Sequence, residues 1–353
     1  MLFLLPCPSG WAFNDFVMKP FSLLAVAVTF IAAQSALSTG VNYHLLQTIP
    51  VGGDGGWDYL SVDSAAQRLY VSHGSKVVVI DLAKDAVVGE ITNTPGVHGL
   101  APAPDLGRGI VTCGRENKAA IVDLKTLQTI AKVETGANPD AMLYEPGQRE
   151  FYTFNGRGES ATVIDARSAK VIATIPLGGK PEFAVADAAT GRIFNNLEDK
   201  NELVVIDART HAVIHRWPIA PGEEASGLAF DSKNHRLFLG CGNQRMVMMD
   251  SDSGNVLAHV PIGDGVDANA FDPAAQLAFA SCSDGTLTIA REDGDALAIA
   301  QIVRTEKGAR TLTIDPATHK LYLGSAKFDA PAEGQRRGKV QPGSFKILVY
   351  GPE

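Results

Sequence analysis

The chain has 353 residues, with 31 Lys+Arg against 39 Asp+Glu and a formal net charge of −8. At 45 % apolar and 20 % charged residues it lies in the globular range, which excludes wholesale disorder. An acidic total without a long Lys/Arg run argues against a nucleic-acid partner, and four Cys without C-x-x-C spacing exclude a zinc ribbon or c-type haem attachment.

In chain order, the first feature is the apolar run Phe21–Ala33, preceded by Lys19 and followed by the small residues around Ala36-Leu37-Ser38. It is too short for a comfortable transmembrane helix and reads as a secretory signal peptide over residues 18–38. Residues 1–17 carry no basic residue and fit badly as its leading region, so translation is expected to start at Met18. The expectation is an exported protein, periplasmic or secreted, with no transmembrane anchor after cleavage and with residues 39–353 as one domain. Export implies an oxidising compartment. Cys241 and Cys282 fall near the same repeat position, which leaves a disulfide open.

A short apolar run ending in Asp then recurs: Val77-Val-Val-Ile-Asp81, Ala120-Ile-Val-Asp123, Thr162-Val-Ile-Asp165, Val204-Val-Ile-Asp207 and Val247-Met-Met-Asp250. Two further copies, Leu287-Thr-Ile-Ala-Arg291 and Lys346-Ile-Leu-Val-Tyr350, lack the Asp, and a Pro/Gly/Arg-rich insertion from Phe328 to Gly343 precedes the last. Each unit of about 42 residues holds four strand-like runs separated by turn signals, the pattern of a β-propeller blade. The predicted fold is all-β, a seven-bladed β-propeller of four-stranded blades. The last unit shows only three strands, whereas Tyr43–Gly52 matches the fourth-strand segments Val171–Gly178 and Val256–Gly263. The N-terminal strand is therefore expected to close the ring by pairing into the last blade. A ring without unmatched blade edges suits a monomer.

Tyr70-Val-Ser-His73 and the V-x-V-I-D runs resemble the YVTN-repeat (YncE-like) seven-bladed propellers, a group of exported proteins, over residues 43–353. More weakly, the chain is similar to lactone hydrolases of the gluconolactonase type, and that resemblance implies a divalent metal, usually calcium, in the central channel. Neither resemblance carries a catalytic motif that matches residue by residue, and propellers host many unrelated functions.

Other chemistry is not found. No G-x-S-x-G or H-E-x-x-H occurs, and His211 and His215 lie four apart on a strand-like stretch, about 13 Å and too far for one metal. One column does attract attention. With the units registered on their first strands, a position near the start is polar throughout: Asp58, His98, Asp140, Glu182, Ser226, Asp267 and Arg310. First strands line the channel of a propeller, so these side chains should converge at one mouth. Four carboxylates around one axis repel one another, and a bound hard cation would relieve that. Asp58, Asp140, Glu182 and Asp267 are thus the candidate ligands of calcium (Ca²⁺) or another divalent metal. His98 is the candidate general base and Arg310 the candidate oxyanion partner. A solvated ring of internally paired charges is the competing reading. Asp81, Asp123, Asp165, Asp207 and Asp250, and the first-turn acids Asp63, Glu145, Asp187, Asp231, Asp272 and Asp315, are read as turn-shaping. The loop residues His73, Lys76, Arg115, Arg157, Lys200, Asn243, Arg245 and Lys327 should share the mouth's face, and Trp57 and Tyr59 either wall the site or pack the blade.

The functional expectation is an exported metal-dependent carboxylic-ester hydrolase, a lactonase acting on sugar or acyl-homoserine lactones at the channel. The alternative is a non-enzymatic envelope scaffold that recognises a protein or polysaccharide.

Overall fold

The computed structural model describes residues 41–331 and 338–353. The signal-peptide expectation lies outside these residues. The described chain forms seven four-stranded antiparallel sheets, with almost no helix beyond three single 3₁₀ turns. Blades 1 to 6 each take four consecutive strands, beginning with Leu60–Asp63, Val97–Ala103, Pro139–Glu145, Pro181–Asp187, Ala225–Asp231 and Val266–Asp272. Blade 7 comprises Leu312–Asp315, Lys320–Ser325, Lys346–Gly351 and, from the other end of the chain, His44–Pro50. The N-terminal strand pairs antiparallel with Lys346–Gly351, so the sequence expectation of ring closure holds.

The strand sequences follow from their place in a blade. A sheet with one wet face alternates apolar and polar residues. Here the middle strands do not alternate: Lys76–Asp81, Lys118–Asp123 and Glu202–Asp207 are buried along four consecutive residues. Both faces of each blade are covered by its neighbours, which explains the unbroken Val/Ile runs. The fourth strands lie on the outside, and Ala86–Ile91 and Lys170–Pro176 are largely exposed.

The core is accordingly divided into seven clusters, one between each pair of adjacent blades. Leu69, Val71, Val78 and Ile80 of blade 1 meet Ile49, Tyr322, Ile347 and Val349 of blade 7 in one of them. Leu143, Tyr152, Phe154 and Val163 of blade 3 meet Ile193, Val204 and Ile206 of blade 4 in another. The closing segment is also clasped from blade 6. The Gln301 side-chain amide donates to the Tyr43 carbonyl at 2.9 Å and its oxygen accepts the Tyr43 N–H at 2.8 Å.

Turn acids behave as expected. Asp81, Asp123, Asp165, Asp207 and Asp250 each accept backbone N–H bonds from residues two or three ahead. Asp63, Glu145, Asp187, Asp231, Asp272 and Asp315 do the same at the first turn. Cys113, Cys241 and Cys282 are buried free thiols, so no disulfide joins Cys241 to Cys282.

Ile49 is 2 % exposed on the closing strand, whereas Ile172 on the outer strand of blade 3 is 47 % exposed. Ile49→Ala should destabilise the fold by about 2–5 kcal/mol. Ile172→Ala should change it by less than about 0.5 kcal/mol. Urea unfolding of both variants checks the difference.

Candidate functional site

The polar column sits where the first strands are irregular. The ladder between first and second strands shifts register at Val97/Leu100, Pro139/Met142, Pro181/Ala184, Ala225/Gly227 and Val266/Ala268. A bulge leaves backbone groups unpaired and re-aims the side chain beside it. Polar residues pin this backbone in several blades. Ser72 Oγ accepts the Asp58 N–H at 2.8 Å, Thr112 Oγ1 donates to the Asp140 carbonyl at 2.8 Å, and the Asn195 amide donates to the Glu182 carbonyl at 3.0 Å. The Ser281 hydroxyl donates to the Arg310 carbonyl, and Ser226 Oγ to the Val266 carbonyl at 3.1 Å. The sequence reading missed Ser72, Thr112, Asn195 and Ser281 as positioning residues. Ser72, Thr112 and Ser281 share one register of otherwise apolar second strands, which was their signal, and Asn195 lies one residue earlier in its strand.

Three members of the column form a tight group. His98 Nδ1 lies 2.8 Å from Asp58 Oδ2 and 3.2 Å from Asp140 Oδ1. The ligating atoms of Asp58, His98 and Asp140 all fall within 4.8 Å of one another, and all three side chains are partly buried. The other two candidate ligands have separate partners. Glu182 pairs with Lys180 at 2.6 Å, and Lys180 also reaches Glu198. Asp267 Oδ2 lies 3.2 Å from Arg310 Nε, an ion pair without hydrogen-bond alignment. Ser226 is occupied by its carbonyl bond. Lys180, two residues before Glu182, escaped the sequence reading because no other blade has a cation at that register, where Gly56, Gly96, Asn138, Glu224, Gly265 and Gly308 stand.

Below the charged ring the channel is aromatic. Tyr59 and Phe183 each follow a column acid by one residue, and their rings are 5.2 Å apart. The same register holds Gly99, Ala141, Gly227 and Ala268 in other blades. Small residues make this possible: a Cβ at Gly99 would stand 2.7 Å from the Tyr59 Cβ. Phe183 packs on both the blade 4–5 and blade 6–7 core clusters. Trp57 packs into the blade, its ring 4.9 Å from Phe345.

Titration properties follow from crowding. Burial, then the charges of Asp58 and Asp267, push the Asp140 carboxyl up to about 7 despite His98 and Lys180. Burial and Asp140 push Glu182 up to about 7 against the pull of Lys180. Burial, with Asp58 and Glu182 opposing Arg310, pushes Asp267 up to about 7. For His98, burial opposes the cation, but the Asp58 hydrogen bond and the Asp140 and Asp58 charges outweigh it and raise the pKa. Burial and then Asp140, Glu182, Asp58 and Asp267 keep the Tyr59 phenol protonated well above its ordinary range. The charges of all four carboxylates therefore reach one tyrosine.

Several loop residues do not serve the mouth. His73 is buried, stacked on Phe345 with ring centroids 4.3 Å apart. Lys76 pairs with Glu90 and Lys200 with Asp199. His211 binds Glu150 at 3.0 Å, while His215 stacks on Trp217, so the two share no site.

The donor set can be weighed for a metal. One imidazole nitrogen with two carboxylates suits a zinc- or manganese-type divalent ion. Calcium takes six to eight oxygens, which this group alone does not supply. A metal must displace the proton that His98 holds between the two carboxylates, so binding competes with protonation.

No protein-family profile matches the chain, and no curated protein does. Among solved structures, a chain of hydrazine synthase from Kuenenia stuttgartiensis superposes with a TM-score of 0.67 at 17 % identity, covering 76 % of this chain and 92 % of that one. A chain of the mitotic checkpoint complex superposes with a TM-score of 0.73 at 12 % identity, covering 94 % and 99 %. At such identities the likeness is one of fold, and it agrees with the seven-bladed propeller.

The raised carboxyls and His98 act on stability with one sign. In the fold they hold protons that an unfolded chain releases at lower pH, so their contribution is largest in acid and is lost as pH rises through about 7. In chelator the melting temperature should fall from about pH 5 to about pH 8, and Asp267→Asn should flatten that fall. Thermal unfolding across this range is the check.

Proposed function

We propose that the channel mouth is the metal site of a hydrolase for small esters or lactones. The single observation that carries this reading is the convergence of Asp58, His98 and Asp140 within 4.8 Å at the mouth of a channel floored by Tyr59 and Phe183. The motif-level resemblance of the repeat to exported propellers, and the weaker lactonase likeness, which is one of fold, support it, and in this reading the protein works outside the cytoplasm.

Asp58, His98 and Asp140 would hold the divalent cation. When bound, the cation supplies Lewis-acid polarisation of an ester carbonyl and an acidified water. His98 was the expected general base, but its Nδ1 is held between two carboxylates, which suits a ligand better. Glu182 is the group we assign to proton transfer, since its pKa of about 7 matches neutral operation. Lys180 orients that carboxyl from 2.6 Å. Arg310 holds a substrate oxygen from the opposite part of the ring, and the Tyr59–Phe183 floor keeps water from reaching the site through the channel.

One observation favours the alternative scaffold reading. His98, Lys180 and Arg310 each already face a carboxylate, so the mouth is largely self-neutralised. The two readings part on metal. Zinc, manganese or calcium, added singly to chelator-treated protein, should raise the melting temperature with one ion and switch on proton release from sugar or acyl-homoserine lactones. Asp58→Asn and His98→Ala should abolish both effects. Glu182→Gln should keep the metal-induced shift but lose at least about a hundredfold in kcat. No shift with any ion overturns the metal site, and a shift without turnover on any ester moves the assignment to a binding module.

A further inference from the structure

A second cavity opens toward the other face of the ring. It is an open cleft of about 560 Å³ lined from blades 1 to 4, chiefly by Leu100, Ala101, Pro102, Met142, Tyr144 and Phe183, together with Tyr59. That volume is in the range of small-molecule sites.

The repeat breaks its own rule at this spot. In six blades the first strand ends in an acid that accepts N–H bonds from the turn. Blade 2 alone has Ala103 there, within the segment Leu100-Ala-Pro-Ala-Pro104. Its turn is a 3₁₀ helix, Pro104–Leu106, without a side-chain cap at Ala103. The two prolines remove backbone donors and stiffen a wall of the cavity. A local rule given up in one repeat, at the edge of a cavity, points to a function there rather than to folding.

The chemistry of the lining restricts the ligand. Two of its three hydroxyls, those of Ser61 and Tyr144, are already used: Ser61 Oγ donates to the Leu100 carbonyl at 2.6 Å, and Tyr144 donates to Asp105 at 3.0 Å, which leaves the Tyr59 phenol as the one hydroxyl a ligand could meet. The one charged residue of the lining, Asp105, also faces Arg149 at 3.8 Å. Among the described residues no cation lines the cavity, and none of the four channel carboxylates does. An anion would lose its hydration without a counter-charge, and a cation would compete for a carboxylate already in use.

We propose that this cavity is a binding site for a neutral, largely hydrocarbon small molecule, separate from the charged mouth and sharing Tyr59 with it. The full-length protein is titrated with the neutral fluorophore N-phenyl-naphthylamine and with its anionic analogue anilinonaphthalene sulfonate. The neutral probe should bind at least about tenfold more tightly, because only the sulfonate carries a charge to desolvate. Ala101→Trp and Ser61→Phe fill the cavity from two blades, and each should weaken the neutral probe at least about tenfold while melting as a folded protein. Equal or tighter binding of the sulfonate by the unaltered protein overturns the proposal. So does binding of the neutral probe that persists in a folded, filled variant. The metal and lactone assays read the opposite mouth, so failure here leaves the hydrolase reading standing, and the converse also holds.

Discussion

Every blade of this protein must be covered on both faces by its neighbours, and the whole structure depends on that constraint. No blade has a core of its own. Leu69 and Ile80 of blade 1 find their partners only in Tyr322 and Val349 of blade 7, and seven such clusters complete a circle. The circle closes because residues from the two ends of the chain share one sheet, His44–Pro50 against Lys346–Gly351. A propeller missing residues 43–50 would expose the edge of one blade and loosen the two clusters beside it, since Ile49 lies in one and Tyr43 in the other.

The same constraint creates the channel. Seven first strands run side by side around the axis, and in blades 2 to 6 a register shift lies near the start of the first strand, beside His98, Asp140, Glu182, Ser226 and Asp267. Backbone groups freed by the bulges are met by hydroxyls and amides of neighbouring strands, which fixes the column at the cost of regular pairing. The charges crowd, and crowding in a half-buried ring sets their protonation: three carboxyls are held near neutrality. Tyr59 and Phe183 then divide the channel into a charged mouth and an apolar cavity.

Acids of one type serve different ends according to where the ring places them. Asp123 and Asp165 each sit at a turn with backbone N–H groups directly ahead, and those bonds lower their pKa. Asp140 has the same side chain, but it faces other carboxylates in a desolvated channel and moves the opposite way. Ala103 shows the converse: one blade omits the turn acid, and a 3₁₀ turn that begins at Pro104 takes its place beside a cavity.

The repeat spacing, the turn acids, the unbroken Val/Ile runs and the match of Tyr43–Gly52 to fourth strands were readable from the chain, because each is a local rule repeated seven times. They determined the blade, the number of blades, the ring closure and the polar column. Which members of the column meet was decided by the tertiary structure alone. Asp58, His98 and Asp140 are 40 and 42 residues apart in a column whose spacing is nearly uniform, so nothing in the sequence distinguishes them from Glu182 or Asp267. The distinction comes from side-chain reach and from neighbours at other registers, Lys180 beside Glu182 and Arg310 beside Asp267. Likewise, Tyr59 and Phe183 are two aromatics among many in sequence. They become the floor of one site and the wall of another because four other blades carry the small residues Gly99, Ala141, Gly227 and Ala268 at the same register and leave the space to be filled.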